Sequence, residues 1–175
     1  MDPRDITDEM SRARADFHDL LTTTTVGELR RPSNGTRWTN EQLLFHMLFG
    51  YLVVRALLFL VRGFARLPPA ASKTFAAMLD AGTKPFHVIN YAGSLGGARV
   101  LGYSGMDRLM GHVIASLQAS LAAEPGTGLQ RGMHFPQGWD PYFKDFMTLL
   151  DVYHYATQHY DHHRRQLTLG TAAGH

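Results

Sequence analysis

Residues 38–62 read WTNEQLLFHMLFGYLVVRALLFLVR, and the fold is read outward from them. Thr39-Asn40-Glu41-Gln42 is a capping box: the threonine oxygen accepts the amide at N3 while the Gln42 side chain reaches back to the Thr39 amide. Trp38 before the cap and Leu43 at N4 close a hydrophobic staple over it. Behind the cap, Leu43, His46, Gly50, Val53, Leu57 and Leu60 recur at steps of 3, 4, 3, 4 and 3, which is one stripe of a helix running to about Arg62. Gly63 and Pro68-Pro69 stop it. Residues 43–61 are nearly long enough to span a bilayer, but they carry His46 and, near the middle, Arg55, which costs roughly 2.5 to 3.5 kcal/mol there. The stretch is therefore read as a core helix, and no membrane partner is expected.

The remaining pattern supplies the helix partners. Ile6, Met10, Ala13, Phe17, Leu20 and Thr24 share one stripe of a helix over about residues 4–28. A short helix is expected at 72–81, followed by an irregular connection from Gly82 to Tyr103 that is rich in glycine. Ser104 and Asp107 are expected to cap a helix to about Ala123, with Met106, Met110, Val113 and Leu117 on one face. Asp140-Pro141 offers an N-cap and an N1 proline for a last helix to about Leu169. Four long helices without a period-2 strand describe an all-α, four-helix bundle with a long connection between helices 2 and 3, in a single domain over residues 1–175.

Composition narrows the chemistry. Seventeen Lys and Arg against 15 Asp and Glu give +2 without a run of like charge, so no nucleic-acid partner is expected. The chain has no cysteine, which removes disulfides, thiolate ligands and a cysteine nucleophile together. Its N-terminus shows no basic flank followed by an apolar stretch, so the expected location is cytoplasmic. Neither a phosphate loop nor a Gly-x-Ser-x-Gly elbow is present.

The ten histidines hold the functional signal. His46 interrupts the apolar stripe of the second helix, and Leu149, Val152, Ala156, His159, His163 and Gln166 step the same way along the last. His159 and His163 are one turn apart, close enough to share an ion, and an antiparallel arrangement brings His46 to their level. His154 and His162 fall beside the seam. A small shift in helix phase would let His162 replace one of the three. Gly50, one turn beyond His46, either leaves room for substrate or allows close helix packing, and packing is the stronger reading. Gln166 either orients a ligand or caps the seam. Arg164 and Arg165 are read as a solvated basic turn, and Trp139, Phe143, Phe146 and Tyr153 as packing aromatics. His87, His112 and His134 receive no role.

These residues resemble the DinB-like (DinB/YfiT-like) superfamily of metal-dependent proteins. Trp38 to His46 looks like its W-[ST]-x-x-E/Q-x-x-x-H helix opening, and His159 to Gln166 like its H-x3-H-x2-Q terminal helix. The resemblance implies a bundle holding a divalent metal ion (Zn, Ni or Fe) on His46, His159 and His163, and frequently a homodimer. Some such proteins use a low-molecular-weight thiol such as mycothiol, bacillithiol or glutathione in transferase or isomerase reactions. The stretch from Leu67 to Tyr103 departs from the family pattern by its length.

Three neutral imidazoles leave an ion its full charge and open positions, so it can present a thiolate or a hydroxide at neutral pH. The missing cysteine suits an external thiol. A small-thiol-dependent transferase or isomerase acting on a small-molecule substrate is the leading expectation. The alternatives are a non-catalytic ligand-binding bundle and a metal-dependent hydrolase. The apolar stretch from Ala56 to Val61 would suit the dimer contact.

Overall fold

The computed structural model describes residues 1–169. Its helices are α1 (Pro3–Thr23), α2 (Val26–Leu29), α3 (Asn40–Phe64), α4 (Pro69–Ala81), α5 (Thr83–Ala122) and α6 (Leu149–Arg164), with a two-stranded antiparallel hairpin, β1 (Gly132–His134) and β2 (Phe146–Thr148), before the last. Strand register pairs Met133 with Met147. α3 starts at the capping box read from sequence, with Thr39 accepting from the Gln42 amide and Gln42 returning to the Thr39 amide. It buries Leu43, Leu44, Met47, Leu48, Tyr51, Val54, Leu58 and Val61 in the core, each worth roughly 1.5 to 3 kcal/mol. By length and composition α3 could cross a membrane, but 56% of its most apolar window is buried inside the bundle. Leu58 and Val61 belong to the core, so only Ala56, Phe59 and Leu60 of the 56–61 stretch show clear outward exposure.

Side-chain pairs give the helix directions. His46 meets His163, Tyr51 meets Thr157 and Arg62 meets Tyr153, so α3 and α6 are antiparallel. Glu9 meets His154, Arg12 meets Asp161 and Asp16 meets Arg164, so α1 runs with α6. Tyr103, just past the Gly102 kink in α5, meets Glu41, and Ser120 meets Arg62, so the part of α5 after the kink runs with α3. Two long helical segments pointing the same way need a return path, and α4 with the part of α5 before the kink supplies it.

Several boundaries differ from the sequence reading. α1 ends at Thr23 rather than near 28, because Thr24 is extended and Thr25 opens a new capping box with Glu28 for α2. Residues 83–101, within the stretch read as irregular, are helical, and the helix expected from about Ser104 follows a kink, starting just before Ser104 rather than being capped by it. The break is at Gly102 alone (φ 60, ψ −179). Asp140 does not cap the last helix. α6 begins after Thr148, whose oxygen accepts the Asp151 amide, and it ends at Arg164 rather than Leu169. The short hairpin was not foreseen; Phe146, read as a helix packing aromatic, lies on β2 and is 45% exposed.

The Gly102 backbone lies in a region that is essentially glycine-only. A β-carbon there would meet nothing within 4 Å, so the cost of a side chain is conformational rather than steric. Gly102→Ala is expected to lower the unfolding free energy by about 1 to 3 kcal/mol in urea titration. Gly96→Ala, at an exposed helical position of α5 that is equally open, is expected to be neutral or stabilising. Equal stability of the parent and Gly102→Ala would mean that the kink is dispensable.

Candidate metal centre

His46 leaves the first turns of α3, and His159 and His163 leave the last turns of α6, so the antiparallel pairing sets all three at one end of the bundle. One ligand nitrogen from each lies within 4.8 Å of the others. His46 Nε2 and His163 Nε2 are 3.2 Å apart. Gln166, just beyond the end of α6, accepts a hydrogen bond from His163 Nδ1 at 2.7 Å. An amide oxygen only accepts, so the proton sits on Nδ1 and His163 Nε2 carries a lone pair. Ser94 gives its own proton to the Asn90 carbonyl at 2.9 Å, and its oxygen then faces His46 Nδ1 at 3.4 Å as an acceptor. His46 Nε2 is thereby also a lone pair. Two lone pairs facing each other repel unless a cation joins them, and two nitrogens each about 2.1 Å from one ion and roughly 100° apart stand about 3.2 Å from each other. Among the described residues, His159 Nδ1 is buried with no hydrogen-bond partner. The donor set therefore suits a divalent ion.

Burial also keeps these rings neutral. His46 is pushed down to about 3, by burial first and then by the charge of His163, against an upward pull from the Asn90 amide. Burial lowers His163 to about 4, with the Gln166 bond opposing and the charge of His162 assisting. His159 falls well below its ordinary value through burial and the charges of His46, His163 and His162. At neutral pH no proton has to be displaced before a cation binds.

Gly50 places the His159 ring. A β-carbon there would overlap Nδ1 and lie 2.8 Å from Cε1, so the glycine makes room for the imidazole of α6 rather than for the opposing backbone. Trp38 stacks on His46 with ring centroids 4.5 Å apart. The tail of the chain is tied down by Asn40, whose amide donates to Thr168 Oγ1 at 3.0 Å and whose oxygen accepts the Thr168 amide at 3.0 Å, which fixes the segment carrying Gln166.

The other sequence candidates stand elsewhere. His162 contacts the Tyr142 hydroxyl at 3.2 Å and lies outside the three-histidine group. His154 pairs with Glu9, Arg164 with Asp16, and His134 with Asp145. Tyr153 is a core residue whose hydroxyl reaches Ser120. Trp139 and Phe143, read as packing aromatics of the last helix, precede it and line a cavity of about 230 Å³ that opens from the histidines. Three further site residues were missed. Asn90 and Ser94 sit in the stretch read as a loop, yet His87, Asn90, Ser94, Gly97 and Leu101 step by 3, 4, 3 and 4, which is a helical stripe. Asp140, read as a cap, has Oδ2 3.9 Å from His159 Nε2 and accepts from the Tyr155 hydroxyl and the Tyr142 amide, each at 2.9 Å. Burial holds its carboxyl above the usual range, against those two hydrogen bonds and the charge of His162.

A second cleft, lined by Gly35, Thr36, Arg37, Tyr91 and Gln166, shares Trp38, His87, Asn90 and His163 with the cavity. The Arg37 guanidinium lies over the Tyr91 ring, 4.8 Å from its centroid. The cleft is thus the more polar of the two sides of the cluster.

No curated protein and no solved structure matches the chain significantly. A family model, that of the DinB superfamily, matches residues 9–167, from α1 to the segment beyond α6, and the chain belongs to that superfamily.

Proposed function

We propose that this chain is a metal-dependent enzyme that joins a small external thiol to an apolar electrophile, or uses that thiol to isomerise one. The observation that carries the reading is the position of the three histidines, where an apolar cavity and a polar cleft share residues. A divalent ion held by His46, His159 and His163 supplies positive charge that favours the thiolate form of a thiol at neutral pH. Zn, Ni and Fe all suit an all-imidazole set.

The chain's own residues divide the remaining work. Gln166 fixes the His163 tautomer, and Ser94 that of His46. The cleft beside Arg37 takes the polar thiol, and the cavity beside Phe49 and Phe86 takes the electrophile. The thiol sulfur forms the new C–S bond and the thiol proton leaves. The attacked carbon skeleton then expels a leaving group, gains a proton, or releases the sulfur again in rearranged form.

The test is turnover of an aryl electrophile such as 1-chloro-2,4-dinitrobenzene by protein loaded with Zn, Ni or Fe. Mycothiol, bacillithiol and glutathione are supplied in turn. The expected result is turnover above the uncatalysed rate that requires thiol, disappears on chelation and returns with metal. Chelation-sensitive cleavage of an aryl ester without thiol would replace this reading with a hydrolase, and metal binding without any turnover would replace it with a binding bundle.

A further inference from the structure

The cavity has a direction. Its α3 wall is built by Gly50, Val53, Leu57 and Leu60, which follow His46 at steps of 4, 3, 4 and 3, so it runs along the helix away from the histidines. From His46 to Leu60 is 14 residues, about 21 Å at about 1.5 Å per residue. Leu60 is 38% exposed, so the far end approaches solvent. The opposite wall comes from the stretch that follows α3: Phe75 and Leu79 on α4 and Phe86 on α5. That wall is fastened to the loop before α6. Phe86 stacks on Trp139 at a centroid distance of 3.9 Å, Trp139 Nε1 donates to the Leu79 carbonyl at 2.9 Å, and the Gly138 amide donates to Asp80 at 3.1 Å.

Polar groups gather at the histidine end. Asp140 and Asn90 lie there beside the three imidazoles, and the Trp38 ring is stacked on His46. A polar molecule extending toward Leu60 would lose its water with nothing to replace it, whereas an apolar chain loses nothing.

We propose that the cavity takes an elongated, mostly apolar small molecule, an acyl or aryl-alkyl chain with one polar head. The head lies at the histidines, and the tail runs along α3 beneath α4 and the start of α5, which set the accepted chain length. This assignment of substrate class rests on the reading that the reaction takes place at the histidine cluster.

Both tryptophans of the chain line the cavity, so its occupancy is readable by intrinsic fluorescence. The probes are 1-butanol, 1-hexanol, 1-octanol and 1-decanol, titrated into metal-free protein. Each added methylene is expected to tighten binding about fourfold, the equivalent of burying one CH₂. Val53→Phe narrows the α3 wall and Leu79→Phe the α4 wall; both parent side chains are partly exposed, so the larger ring has room to settle. In either variant 1-hexanol is expected to bind within about twofold of parent, while 1-decanol loses tenfold or more. Affinity that ignores chain length, or a length dependence surviving both narrowed cavities, would overturn the proposal. Because the probes carry no thiol and the protein no metal, a failed thiol assay leaves this outcome intact, and the reverse also holds.

Discussion

Gly50→Ala is expected to strip the metal from a protein that still folds. The added methyl would overlap the His159 imidazole, so the ring must shift from its place or the helices must part. The ring centroid is 4.6 Å from that of His163, 4.9 Å from His46 and 5.8 Å from Tyr155. Either the ring leaves its place among the ligands, or α3 and α6 move apart and separate His46 from His163. Both lower metal affinity. Removing one of three ligands costs more than disturbing a residue behind a ligand, which is worth 10- to 100-fold, so a loss on the order of 100-fold or greater is expected. The bundle has a contiguous core to absorb the strain, and overpacking costs about 1 to 3 kcal/mol, short of global unfolding. Gly63→Ala is the control: it lies on the same helix, exposed, with nothing within 4 Å of a β-carbon, and should retain metal at slightly higher stability. The measurement is elemental analysis of tag-free protein, with titration of Zn and Ni into the chelated variants and circular dichroism to follow the fold. Parent-like metal content in Gly50→Ala would show that His159 is not held by this contact.

That dependence explains which parts of the molecule were legible from sequence. The seam of α6 and the stripe of α3 could be read because periodicity of 3 and 4 survives the substitution of histidine for leucine, and the Thr39 capping box set where α3 begins. The meeting of the three rings needed only an antiparallel pair. The role of Gly50 was read half correctly, since close packing was expected but the packing partner is a side chain that would serve as a ligand. The stretch from 83 to 101 was misread because each glycine in a helix costs up to about 1 kcal/mol, and Gly93, Gly96 and Gly97 together outweigh local propensity. What overrides that cost is tertiary packing. Ser94 and Ala98 are buried, and Phe45 lies against Gly97 so tightly that a β-carbon would overlap its ring. Asp140-Pro141 looked like a helix start, and Asp140 does accept the Tyr142 amide as a cap would, but only a turn follows; its other oxygen is held by Tyr155 of α6, and the helix starts at the box Thr148-Leu149-Leu150-Asp151.

Metal-free protein is expected to lose stability steeply between pH 6.5 and pH 4, a window set by the same three histidines. Their folded-state pKa values lie below the ordinary 6.5, with His46 at about 3 and His163 at about 4. Above pH 6.5 the rings are neutral in both folded and unfolded chains and contribute no slope. As pH falls below 6.5 the unfolded chain takes up protons that the folded chain refuses, so the unfolded state gains, and the loss continues until the folded pKa values are reached. For His46 alone the span from 6.5 to about 3 corresponds to on the order of 5 kcal/mol, a large share of a typical domain's stability. Carboxylates act lower: Asp107 and Asp151 are held below their ordinary range by ion pairs and hydrogen bonds, so their contribution is lost only as pH falls through the acid region. Asp140, held above its range by burial, works in the opposite direction and offsets part of the loss. Melting temperature against pH is the measurement. It should be flat from pH 8 to 7 and fall below 6.5, while His46→Gln and His163→Gln, which cannot charge, should flatten the limb between 6.5 and 5. Saturating Zn should shift the limb to lower pH in the parent and not in the variants, because a ligand that binds only the folded, unprotonated cluster stabilises it by mass action. An acid limb of equal slope in the parent and both glutamine variants would mean that the cluster does not set the acid stability.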